Sequence, residues 1–194
     1  MLTEIPIEQF AIALDDCAKE VLAEGRISEP PVDALQLADR LRLVIARDTA
    51  MQVRARFVRI GERGRSGRGT ILVGEESRPE RQQWAVAHEL GESVAHRVFA
   101  ALGIAPVDIP PSAREQLANH LASCLLLPRD WFAADGCNLD WDLYELKQRY
   151  STASHELIAR RMLEMSPPVM VTLFDQGKTV WRKTRPADNC HSFA

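Results

Sequence analysis

No C-x-x-C pair occurs in this chain. Its four cysteines, Cys17, Cys124, Cys137 and Cys190, are spaced for neither a zinc knuckle nor a dense disulfide framework. Cys124, within the apolar run Leu121 to Leu127, reads as a small buried thiol. Cys190 and His191 sit in a polar tail, where two readings stand: an unstructured terminus, or a local metal-capturing pair. No apolar run approaches the roughly 20 residues a membrane span needs. Met1 to Pro6 lacks the basic start and apolar core of a secretory signal, so a cytoplasmic location with no membrane partner is expected. Basic charge is not in excess either. With 24 Lys and Arg against 27 Asp and Glu, the net charge of −3 argues against a dedicated nucleic-acid binder, although a local basic patch stays open. There is no internal repeat and no low-complexity segment.

What remains is an ordinary globular composition, 46% hydrophobic and 26% charged over 194 residues. That length suits one sizeable domain, or one domain with a small appendage. Gln9 to Ala23 carries Phe10, Ala13, Leu14, Cys17 and Val21 at helical spacing. After Pro30-Pro31, Asp33 can cap a second helix through Leu41, because its carboxylate accepts orphan backbone N–H groups. Leu43 to Arg47, Met51 to Ile60 and Thr70 to Val73 read as strands, and the slip in alternation at Phe57-Val58 leaves room for a bulge. The basic stretch Gly61 to Gly69 between the last two reads as a solvated hairpin tip rather than a nucleic-acid contact.

Pro79 and Glu80 then suit the first turn of a long helix, and the pair Pro110-Pro111 marks a break after it. Ser112 is expected to cap a helix from Ala113 to Leu127, with Glu115 as its capping-box partner, and Pro128 to end it. Two further helices, about Trp141 to Tyr150 and Ala153 to Met165, precede a terminal hairpin (Val169 to Phe174, Thr179 to Lys183) turning at Gly177. The expected class is α+β: a helical core with a small mixed or antiparallel sheet, then a helix pair and a hairpin. Residues 1–135 are expected to form one domain and 136–194 the helix pair with its hairpin, or the two to be continuous.

The chemistry centres on His88-Glu89-Leu90-Gly91-Glu92. In the H-E-x-x-H pattern of zinc proteases, two histidines one helical turn apart grip the ion and the glutamate serves as general base. Here the second ligand position carries Glu92. On a helix His88 and Glu92 still project about 40° apart, within reach of one ion, while Glu89 points about 100° away, toward a water the ion polarises. A third ligand must come from elsewhere. His96 lies about 12 Å along the helix from His88, at the edge of what two imidazoles span, and reads as exposed or supporting. Glu115 sits on a helix expected to return across the motif helix, and periodicity leaves it two roles, metal ligand or capping partner. Gly91 fits such a crossing, since a glycine inside a buried helix marks close approach. Asn119 and His120 read equally as supporting groups or as helix surface.

Residues Arg81 to Glu92, followed by Glu115-Gln116-Leu117-Ala118-Asn119-His120-Leu121-Ala122-Ser123-Cys124-Leu125-Leu126-Leu127-Pro128, resemble the signature of the ImmA/IrrE family of metallopeptidases. That signature is an H-E-L-G-H helix, then E-x-x-A-N-x-F-A-x-x-L-L-x-P, with Leu121 here in place of phenylalanine. The segments around Asp142 to Leu146 and Ile158 to Met162 are similar to the helix-turn-helix-like part that follows it, so the resemblance spans roughly residues 28–175. It implies a zincin-like fold and a zinc-dependent endopeptidase that cleaves a regulatory, repressor-like protein. It also implies His88, Glu92 and Glu115 as metal ligands and Glu89 as the catalytic base.

The exchange at Glu92 has a chemical cost. Two carboxylates and one imidazole bring a divalent ion near zero net charge, which weakens water acidification and carbonyl polarisation. The oxygen-rich set also shifts preference toward harder ions such as manganese or magnesium, although carboxylate remains an ordinary zinc ligand. Two readings follow: a metal-dependent endopeptidase, with Thr70 to Val73 receiving the substrate as an added strand, or a catalytically degenerate relative, holding no metal, that acts as a regulatory protein-binding module. DNA binding through the helix pair Asp142 to Met165 is a third, weaker reading, since Lys147, Arg149, Arg160 and Arg161 alternate there with Glu145, Glu156 and Glu164.

Overall fold

A computed structural model of the chain describes residues 6–51, 54–60, 68–105, 109–165 and 167–186. Helix α1 (Ile7–Glu24) buries Leu14, Cys17, Ala18, Val21 and Leu22, the stripe its apolar spacing predicts. Helix α2 (Ala34–Arg40) starts where expected: the Asp33 carboxylate accepts from the backbone N–H groups of Leu35 and Gln36. Strands β1 (Val44–Arg47), β2 (Ala55–Ile60) and β3 (Arg68–Val73) form one sheet in the order β1-β3-β2, with β1 parallel and β2 antiparallel to β3.

Two readings of the sheet fail. The β2–β3 register runs unbroken from Ala55↔Val73 to Ile60↔Arg68, so no bulge forms at Phe57-Val58. Strand β3, expected to receive substrate, is the central strand and has both backbone edges paired; among the described residues, the strand beside the motif helix whose outer edge has no partner strand is β2. Local alternation could not show this, because the β1–β3 pairing depends on a crossover between distant segments. Of the basic stretch, 61–67 lie outside the described residues, as do Cys190 and His191, while Arg68 and Gly69 begin β3.

The long helix α3 (Pro79–Ala101) opens with proline at N1 and packs its broad apolar face on α1, α2, β2 and β3. Gln83 ties it to the start of α2, accepting from the Ala34 N–H at 2.6 Å and donating to Asp33 at 3.0 Å. Helix α4 (Pro111–Leu126) crosses α3, but the capping box is absent. Pro110 occupies the N-cap and Pro111 the first helical position, so Ser112 already lies inside the helix and makes no cap bond. A proline at N1 has no N–H to satisfy and a φ suited to the helix, so the start moves ahead of the serine. The Glu115 side chain is thereby free of the capping role.

Pro128 does end α4, and it also begins helix α5 (Arg129–Asn138), which the sequence reading omitted. Only Phe132 and Gly136 of α5 are buried, too few for a periodic signal. It is held instead by rings: Phe132 meets Trp141 at 5.9 Å and Tyr150 at 5.3 Å, both edge-on, and Tyr150 donates to Asp135. Helices α6 (Leu143–Arg149) and α7 (His155–Met162) are capped by Asp142 and Ser154. Strands β4 (Val169–Asp175) and β5 (Lys178–Arg185) close the antiparallel hairpin through Gln176 and Gly177, both at positive φ.

The architecture is α+β, with one apolar cluster running from Leu14 in α1 to Met162 in α7. Among the described residues no helix is long and apolar enough to cross a membrane. The basic residues of the helix pair are engaged within the fold. Lys147 pairs with Glu80, Arg149 with Asp135 and Arg160 with Glu156. Arg161, 4% exposed, pairs with Asp15 and Glu164 and donates to the Leu127 carbonyl. Such a pattern suits a packed helical hairpin better than a groove reader. Cys17 and Cys124 are buried thiols, and burial pushes the Cys124 thiol up to about 12.

Candidate metal centre

His88 and Glu92 lie on one face of α3, and Glu89 turns from them toward the sheet. One ligand-capable atom from each of His88, Glu89 and Glu92 lies within 4.8 Å of the others, a cluster able to hold a metal ion. Helix α4 completes the surroundings from the other side. Glu115 Oε1 stands 3.5 Å from His88 Nε2, and Asn119 Oδ1 lies 3.2 Å from His88 Nδ1. With Asn119 accepting from Nδ1–H, the Nε2 lone pair is directed at Glu115. Two lone-pair donors then face each other at a separation close to the roughly 3.3 Å between neighbouring ligands of a tetrahedral zinc ion. The donor set therefore fits a divalent cation.

Glu89 is 7% exposed and accepts from the Phe57 N–H of β2 at 2.5 Å. Burial pushes its carboxyl up from the ordinary value; the Phe57 hydrogen bond and His88 oppose this, and Glu92 and Glu115 add to it. A buried carboxyl displaced upward, with one oxygen anchored, is suited to accept a proton. Sequence reasoning missed Phe57 because its contribution is a backbone amide, which any residue at that position could supply. The anchoring is possible because β2 is an edge strand, leaving this N–H free of the β3 ladder.

The remaining candidates separate plainly. His96 is exposed, with its Nδ1 3.1 Å from the Ser93 carbonyl of its own helix. His120 is exposed and rests edge-on against Phe10 at 6.4 Å. Asn119, left open on sequence, is in contact with His88.

The close crossing that brings Glu115 and Asn119 here depends on Gly91. A Cβ at that position would lie 2.9 Å from the Ala118 carbonyl oxygen and 3.0 Å from Leu121 Cβ. Gly91→Ala gains about 1 kcal/mol of helix propensity but incurs about 1–3 kcal/mol of overpacking against backbone that must shift. The expected net is a loss of about 1 kcal/mol in denaturant unfolding, with weakened metal binding as α4 is displaced. A variant as stable as the parent would show that the crossing tolerates a methyl group.

Residues 39–163 match the family described as Peptidase M78, IrrE N-terminal-like domain. The solved structure of a Mycobacterium tuberculosis transcriptional regulator has a similar fold, with a TM-score of 0.63 at 18% identity, over 95% of this chain and 62% of that one. This chain thus spans less than two thirds of that neighbour's length, and at such identity the likeness is one of fold. No curated protein sequence matches the chain.

Proposed function

We propose, for a chain that belongs to the Peptidase M78 family of IrrE N-terminal-like domains, that it is a metal-dependent endopeptidase acting on a repressor-like regulatory protein in the cytoplasm. The observation that supports this reading is the cluster of His88, Glu89 and Glu92 on α3, with Glu115 of α4 3.5 Å from His88 and the Glu89 carboxylate buried. His88, Glu92 and Glu115 would hold zinc or manganese. When bound, the ion supplies Lewis acidity, acidifying a water and polarising the scissile carbonyl.

The chain's own groups supply the rest. Asn119 orients the His88 ring through Nδ1. Phe57 N–H anchors one oxygen of Glu89, leaving the other to take the water's proton and later deliver it to the leaving amine. Apart from the Phe57 N–H that Glu89 holds, the outer edge of β2 offers backbone groups to an extended peptide, so substrate would add to β2 rather than to β3. The regulatory setting draws on the similarity in fold to a transcriptional regulator.

One observation favours a second reading. Glu92 replaces an imidazole and lowers the charge the ion can exert, which suits a catalytically silent, protein-binding relative. Cleavage of a peptide library prepared from a bacterial proteome separates the two, with new N-termini read by mass spectrometry. Zinc- or manganese-loaded protein is expected to generate a defined set of new N-termini that excess chelator abolishes. Their absence at saturating metal would overturn the peptidase reading in favour of the binding module.

A further inference from the structure

A second polar concavity lies outside the metal centre. Its volume is about 630 Å³, within the range of small-molecule sites, and it opens where the start of β2, the first turns of α3 and the N-terminus of α7 meet β4. Four guanidinium groups line it: Arg54, Arg78, Arg81 and Arg160. Two are already neutralised, Arg54 by Glu76 at 3.1 Å and Arg160 by Glu156 at 2.7 Å, and the lining carboxylate of Glu80 is taken by Lys147. Arg78 and Arg81 make no ion pair among the described residues, although Glu76 lies within electrostatic reach of Arg81, so the four arginines outnumber the carboxylates beside them, Glu76, Glu80 and Glu156. The first turn of α7, capped by Ser154, adds the positive end of a helix dipole. Beside the charges, Trp84 and Leu157 contribute apolar lining, and Arg160 is itself stacked 4.4 Å over the Trp181 ring.

Surplus arginines beside an aromatic wall in a concave site match one ligand chemistry. Paired guanidinium groups grip phosphate oxygens through charge-assisted bonds, and an indole face accepts a flat ring. We propose that this cavity binds a small phosphorylated molecule, its phosphate held by Arg78 and Arg81 and its flat body lying against Trp84. The cavity is a half-open concavity whose volume matches that of a small-molecule site. The site shares a helix with the metal centre: Arg81, Trp84, His88 and Glu92 follow at intervals of three and four residues along one face of α3. It does not depend on that centre holding metal, and its test is independent of proteolysis.

The test is calorimetric titration of the full chain with AMP, inorganic phosphate and adenosine, at about 0.15 M salt so that exposed charges are screened. Tryptophan fluorescence is followed in parallel, with Trp84→Phe assigning the signal. AMP is expected to bind saturably with a Kd below about 1 mM, more tightly than phosphate, while adenosine does not bind. Losing two charge-assisted contacts in the Arg78→Gln/Arg81→Gln variant should raise the Kd about tenfold or more. Both arginines are exposed, so the variant's circular dichroism and melting midpoint should match the parent. No saturable binding of AMP or phosphate up to about 10 mM would overturn the proposal. So would equal AMP affinity in the double variant, or binding of a polyglutamate peptide alone.

Discussion

Glu89→Gln is expected to keep its metal and to cleave peptide about a hundredfold or more slowly, the range lost with a positioned general base. Glutamine has the same shape, and its carbonyl oxygen can still accept from the Phe57 N–H that anchors the native side chain. The substitution therefore holds the group in place on a buried face, 7% exposed in the parent, while removing the proton acceptor. Initial rates on a fluorogenic peptide, with metal content measured in parallel, read both properties. A rate equal to the parent's would remove Glu89 from proton transfer. Loss of metal would be as informative, because Glu89 lies in the same 4.8 Å cluster as His88 and Glu92. It would make Glu89 a ligand rather than a base.

The second large effect concerns the position where the family signature has histidine. Glu92→His should raise zinc affinity, on the order of tenfold, and raise turnover with it. In the proposed set of His88, Glu92 and Glu115 the ligand charges would cancel those of a divalent ion; an imidazole at position 92 would restore about one positive charge and with it the ion's pull on a water and a carbonyl. It also replaces a hard oxygen by a nitrogen, which turns preference from manganese toward zinc. Residue 92 is exposed, so the larger ring has room. Competition titrations with a chromophoric chelator measure the change. Unaltered affinity would mean that position 92 contributes no ligand in the parent.

Much of this site is legible in the sequence, because it rests on spacing. The four-residue interval between His88 and Glu92 specifies a shared helix face, and Gly91 marks where another helix presses close, which proves to be α4 at Ala118 and Leu121. What escapes has identifiable causes. The anchor on Glu89 is a main-chain amide, so no side-chain pattern announces it. Glu115 carries two equally good local roles until Pro110-Pro111 moves the helix start and removes one of them. Helix α5 buries only two residues and is held by rings from later in the chain. The central place of β3 depends on a parallel pairing with β1 that alternation within one strand does not encode. Local periodicity reports which face of an element is buried, not which neighbour buries it.

The most direct measurement is a zinc titration of the parent chain beside His88→Ala, read by calorimetry and by metal content after gel filtration. His88 is the single nitrogen donor in the cluster, held by Asn119 on one side and facing Glu115 on the other. The expected result is about one ion per parent chain and less than about a tenth of an ion in His88→Ala, as the loss of one of three protein ligands implies. A parent chain that binds no divalent ion, or a His88→Ala chain that binds as much as the parent, would contradict a metal centre built on His88, Glu92 and Glu115.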